Sequence, residues 1–170
     1  MLGKVLELDR PGGAVSATII ETEAYLGFGD AASHSHRGPT PRSEIMFGSP
    51  GIAYVYFIYG MYHCLNAVTE AAGSGAAVLI RALAPAVPGR QSVPGWTRKN
   101  LGGPGRLCRE FGIDRRMNGW DLSTSPLRIL DGPAVPDADV VVGPRVGIKR
   151  AATLELRYRL GATLTSAAGA

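Results

Sequence analysis

Apolar and polar residues alternate through Ala14–Ile20 (AVSATII), and the period of two runs on into Glu21–Tyr25 (ETEAY). That spacing predicts a strand over Ala14–Ala24. Lys4–Leu8 is a second such run, and the turn signal RPGG between them makes an opening antiparallel hairpin. Aromatic and β-branched residues fill Ile52–Tyr59, Gly60 interrupts, and a further run reaches Val68, which reads as strand, tight turn, strand. Ala76–Leu83 is nearly continuously apolar and predicts a central strand whose one charge is Arg81. Leu107 and Phe111 lie four apart with Gly112 behind them, which predicts a short amphipathic helix in GPGRLCREFGI. Ala84–Gly103 reads as loop with a short helical turn. LRIL, VVVG, PRVGI and LELRYRL beyond Asp121 read as further strands. Leu26–Pro50 is polar, rich in Gly, Ser and Pro, and long for an unstructured connection, so it is a candidate functional loop, with a disordered insert as the alternative.

Alternation has a chemical consequence. Glu21, Glu23 and Tyr25 share one strand face, and two carboxylates side by side resist joint ionisation. Such a face needs compensating cations or water.

A chain of 170 residues suits one domain with its own core. No apolar run approaches the roughly 20 residues that span a bilayer, so no membrane partner is expected. The opening MLGKVLELDRPGG lacks the features of a secretory signal, which points to the cytoplasm. Cys64 and Cys108 stand far apart in no CxxC pair and read as buried free thiols. The net charge is +4 and the pI about 9.3. Basic residues gather in the Gly- and Pro-rich stretches RGPTPR (37–42), TRKN (97–100), RLCR (106–109) and GPRVGIKR (143–150), which could meet phosphates.

Several constellations could carry chemistry. Glu23 could serve as a general base if a cation such as Arg81 held the geometry; otherwise it is a solvated strand carboxylate. His34, His36, His63 and Cys64 are zinc-type ligands, yet no HExxH or CxxC completes them, and His34 reads better as a hydrogen-bonding pocket residue, so no metal is assigned. Tyr54, Tyr56, Tyr59 and Tyr62 cluster around one glycine turn and could stack bases or form a half-buried aromatic sheet. Neither a GxGxxG nor a P-loop is present, so no nucleotide cofactor is expected. Acid–base hydrolysis on a nucleic acid fits what remains. The rivals are a base-stacking module without chemistry and a metal-dependent hydrolase built on the three histidines.

The stretches ETEAYLG (21–27), ASHSHRGPTPRSEIMFGSPGIAYVYFIYGMYHCLN (32–66), VLIRAL (78–83), GPGRLCREFGI (103–113) and PRVGI (144–148) resemble the alkyladenine (3-methyladenine) DNA glycosylases of the non-helix-hairpin-helix type, in that family's order. The resemblance implies a mixed α/β (α+β) fold: a single compact domain over residues 1–170, largely an antiparallel curved β-sheet with flanking helices and a protruding β-hairpin. Glu23 then matches the general base, and Arg81 with the backbone carbonyl of Val146 matches the rest of the water-holding group. Tyr25, His34 and Tyr56 match the base pocket, Asn66 the residue that rejects normal guanine, and Tyr59 the wedge that fills the gap left by a flipped nucleotide. Glu21 has no catalytic counterpart and is expected to face solvent or pair with a loop arginine. The implied partner is double-stranded DNA carrying damaged purines such as 3-methyladenine, 7-methylguanine or hypoxanthine. The implied enzyme is a monomeric, monofunctional glycosylase without cofactors, cytoplasmic and associated with the nucleoid. The chain departs from the family in starting where an N-terminal helix has already passed, in residues 84–102, and in its ending, LGATLTSAAGA.

Overall fold

The structure, a computed structural model, describes residues 1–85, 87, 89–90 and 93–161. Residues 86, 88 and 91–92 of the expected loop and the ending from 162 onward lie outside the described residues.

Strands β1 (Val5–Leu8) and β2 (Val15–Tyr25) form the opening hairpin. β3 (Ala53–Ile58) and β4 (Tyr62–Thr69) form the second, and β5 (Ala76–Ala84) follows. Helices α1 (Arg98–Leu101) and α2 (Pro104–Phe111) precede the short strands β6 (Leu127–Leu130), β7 (Val140–Gly143) and β8 (Arg157–Leu160). The sheet runs β3-β4-β5-β2-β1-β6; β8 pairs with β2, and β7 with β8. Every pairing is antiparallel, and the sheet curls into a half-barrel. The fold is a sheet-dominated mixture of strands and a few helices, as expected.

The helices cover one face. Leu101, Leu107, Cys108 and Phe111 pack there on Leu6, Ala17, Ile19, Leu65, Ile80 and Leu83 to form the main core. α2 starts with Pro104 at its first turn and stops at Gly112, whose φ of 68° lets its N–H cap the helix on the Arg109 and Cys108 carbonyls. The opposite face carries a smaller cluster of Met46, Tyr54, Val68 and Ala77 beneath the 26–50 segment. That segment is tied down rather than loose. Ser33, Ser35 and Ser43 are buried, and Ser35 Oγ donates to the Gly75 carbonyl at 2.6 Å.

PRVGI forms no strand: residues 144–148 are irregular, with bends at Val146 and Gly147, between β7 and β8, and only Arg157–Leu160 of LELRYRL is extended in the sheet. A proline and a glycine within five residues break the ladder there.

A paired irregularity decides which face bears the acidic residues. Ala17 and Ile19 point into the main core, and unbroken alternation would send Glu21 and Glu23 after them. The β2–β5 register instead shifts twice, between Ile19 and Glu21 and between Glu21 and Thr22, leaving Ile20 on one strand and Arg81 on the other without a partner. The first shift turns Glu21, Glu23 and Tyr25 to the opposite face; the second turns Arg81 the same way. Bulges commonly re-aim side chains in this manner.

Candidate active site

On that face, Glu23 is fully buried. Its Oε1 accepts the Val146 backbone N–H at 2.7 Å, and its Oε2 accepts the Tyr25 hydroxyl at 3.1 Å and Arg81 Nη1 at 3.4 Å. Arg81 is itself steadied by Glu21, whose Oε1 accepts its Nε at 3.1 Å and Arg157 Nε at 2.6 Å. Glu21 therefore pairs with two strand arginines, not with solvent or a loop arginine. Two carboxylates and two guanidiniums alternate across β2, β5 and β8, which compensates the acidic face. Arg157 went unforeseen, because nothing in RYRL marks which strand it will meet.

Tyr25, Arg81 and Val146 line a cavity of about 500 Å³, and Glu23 stands just behind that lining. The volume lies in the range typical of small-molecule sites. Tyr25 and Tyr56 contribute rings, with His34 set edge-on to Tyr56 at 4.7 Å and Tyr54 at 5.3 Å from Tyr56. Asn66, on β4, also lines it; its Nδ2 donates to the Tyr54 carbonyl at 3.0 Å. The start of α2 closes one side with Gly103, Pro104 and Gly105, held to β5 because Gly103 N–H donates to the Arg81 carbonyl at 2.8 Å.

Burial, then the neighbouring Glu23 carboxylate, push the Tyr25 phenol well above its ordinary value, so it remains a donor. Packing against the tyrosines and then the Arg42 charge push the His34 imidazole down to about 4, although its outer edge is open to solvent. His34 is consequently neutral at neutral pH, with Nδ1 2.9 Å from the Tyr54 hydroxyl. The sign follows: lowering the pH from 8 to about 5.5 leaves the ring uncharged, and protonation comes only near the depressed value. An NMR titration of the imidazole nitrogens should show no transition for His34 in that range; a midpoint near the ordinary value of about 6.5 would contradict it.

The remaining histidines do not join His34. His36 Nδ1 donates to the Ser33 carbonyl at 2.8 Å, and His63 packs on Phe57. Among the described residues no group of three or more His, Cys, Asp or Glu is gathered to hold a metal. Cys64 and Cys108 are buried free thiols. Of the basic stretches, Arg42 places its guanidinium 5.2 Å over Tyr56 and Arg106 reaches the cavity edge. Arg145 is different: it is buried against Asp30 and faces no solvent phosphate.

Tyr59 stands at the β3–β4 tip, 79% exposed. Its φ of 55° and the 67° of Gly60 make a tight turn closed by Met61 N–H on the Ile58 carbonyl at 3.3 Å. A non-glycine residue held in the left-handed region at an exposed tip is a strained feature of the kind found at functional sites.

A sequence model of the family described as methylpurine-DNA glycosylase (MPG) matches residues 1–163. Three similar proteins all carry the name "Putative 3-methyladenine DNA glycosylase". That of Myxococcus xanthus is 46% identical over 90% of this chain and 76% of its own. That of Methanocella arvoryzae is 47% identical over 92% and 80%. That of Anaeromyxobacter dehalogenans is 51% identical over 87% and 68%. These matches define a base-excision repair enzyme, a DNA glycosylase. The chain belongs to the methylpurine-DNA glycosylase family. DNA is its substrate. Among the described residues no helix is long and apolar enough to cross a membrane.

Proposed function

We propose that this glycosylase, acting as a monomer on duplex DNA, rotates a damaged purine into the aromatic cavity and hydrolyses its N-glycosidic bond with a water activated by Glu23. The damaged purines are of the 3-methyladenine, 7-methylguanine and hypoxanthine type. The observation that carries the reading is the buried Glu23 carboxylate, held by three donors directly behind the wall of a base-sized pocket.

Rotating the nucleotide out costs a few kcal/mol, least for a damaged base. Tyr59, exposed at the turn, enters the vacated stack. Tyr25 and Tyr56 stack on the extruded purine, His34 hydrogen-bonds it as a neutral imidazole, and Asn66 opposes the exocyclic amino group of normal guanine. The Arg81 contact to Glu23, at 3.4 Å, is the longest of the three and is where a water enters, held also by the Val146 carbonyl. Its oxygen bonds to C1′ as its proton passes to Glu23, and the electron pair of the breaking C1′–N bond leaves with the base. The buried carboxylate also opposes the positive charge that grows on the sugar. An alkylated purine is already cationic and departs neutral; hypoxanthine needs an added proton. Among the described residues no lysine lines the cavity, which supports hydrolysis to an abasic site without a Schiff-base step or strand cleavage.

Duplex DNA containing hypoxanthine, and separately methylated DNA, should release free base and acquire alkali-labile sites in the presence of EDTA. Folded protein that binds lesion DNA yet releases neither base would establish the non-catalytic binding module instead, and release abolished by EDTA the metal-dependent hydrolase.

A further inference from the structure

We infer that Arg145, locked by Asp30, is the positioning residue that sets Val146, Glu23 and Tyr25 for base release, an inference that rests on the role of Glu23 proposed above. Val146 belongs to the bends between β7 and β8, outside any ladder, yet its N–H meets Glu23 Oε1 at 2.7 Å. An irregular segment keeps such a contact only if something anchors it. The adjacent Arg145 does so, being 5% exposed in the folded chain. Its Nη1 donates to Asp30 Oδ2 at 2.5 Å and to the Ala24 carbonyl at 2.9 Å, and its Nη2 donates to Asp30 Oδ1 at 2.7 Å. The guanidinium lies 4.6 Å from the centre of the Tyr25 ring.

Asp30 is anchored in turn: it accepts the backbone N–H groups of Leu26 and Ala32, each at 3.1 Å. Burial works against its charge, but the Arg145 fork and those two N–H groups hold it below the ordinary carboxylate value. One side chain thus ties together the main chain between Glu23 and Tyr25, the Tyr25 ring, the segment that leads to His34, and Val146. Buried ion pairs are weak sources of net stability because desolvation offsets their attraction. What this pair supplies is fixed geometry. Arg145 Nε has no partner among the described residues, so both Nη groups carry the polar anchoring. Lysine keeps the charge but cannot span two carboxylate oxygens, a carbonyl and a ring face together.

The test compares Arg145→Lys with the unmodified chain in single-turnover release of hypoxanthine from duplex DNA, in affinity for that duplex, and in hydrogen exchange at the Val146 amide. Displacement of a reacting group by about 1 Å can cost about a hundredfold, so the rate constant should fall by about that factor while the Kd moves by less than about threefold. Val146 exchange should accelerate by at least about tenfold. A merely structural role would lower the folded fraction without changing the rate constant of the folded molecules. A rate constant within about threefold of the unmodified chain, or Val146 exchange unchanged, overturns the inference. Should Arg145→Lys not fold, Asp30→Asn, which keeps the side chain's shape and weakens the lock, is judged by the same criteria. If the unmodified chain releases no base, the functional reading fails, and Val146 exchange alone still decides whether Arg145 positions that amide.

Discussion

Glu23→Gln lowers the single-turnover rate of base release by about a thousandfold, equivalent to about 4 kcal/mol of transition-state stabilisation, and leaves lesion-DNA affinity within about threefold. The amide matches the carboxylate in shape, so Val146 N–H keeps an acceptor. Arg81 remains paired with Glu21 at 3.1 Å, so no guanidinium is stranded by the change. On the proposed mechanism, what disappears is the group that takes a proton from water and the charge that opposes the developing oxocarbenium ion. A general base contributes about 10²–10⁴-fold, and electrostatic stabilisation adds to that. Parallel measurements of release kinetics and duplex binding check the split. A rate constant within about tenfold of the unmodified chain would remove Glu23 from the chemistry, whereas equal losses in rate and affinity would make it a binding residue.

Gly27→Ala reduces folding stability by about 3 kcal/mol and lowers the urea midpoint by about 1–2 M. Gly27 adopts φ +82°, and a Cβ there would lie 2.2 Å from the Ser74 carbonyl oxygen and 3.1 Å from the Gly75 carbonyl carbon. The left-handed conformation alone costs a non-glycine residue about 1–2 kcal/mol. The contact is to backbone at the β4–β5 turn, so no flexible side chain can give way, and relief requires the two segments to separate. Gly27 opens the stretch that carries Asp30 and His34, so base release should fall with stability. Equilibrium urea unfolding tests it; a midpoint within about 0.3 M of the unmodified chain would show that the close approach at this glycine is dispensable.

Much of this protein follows from local pattern. The β1–β2 hairpin around RPGG, the β3–β4 hairpin around Gly60, the apolar β5 and the capped α2 are all legible, because period, turn residues and helix stops act over a few residues. So was the shared face of Glu21, Glu23 and Tyr25, since alternation within ETEAY is a property of one strand. The failures have one source. PRVGI reads as a strand, yet a strand exists only where a neighbour supplies ladder partners, and residues 144–148 have none. Arg145 reads as a surface cation, but Asp30, its partner, lies 115 positions earlier. Glu21 could not be matched to Arg157 without knowing that β8 would join β2 beside β1.

The sequence by itself determined the two hairpins, the apolar β5, the helix α2 and the residue types of the site. Only the tertiary structure decided that the carboxylates leave the core face of Ala17 and Ile19. That reversal depends on two offset irregularities in the β2–β5 pairing, and register belongs to a pair of strands, not to either one.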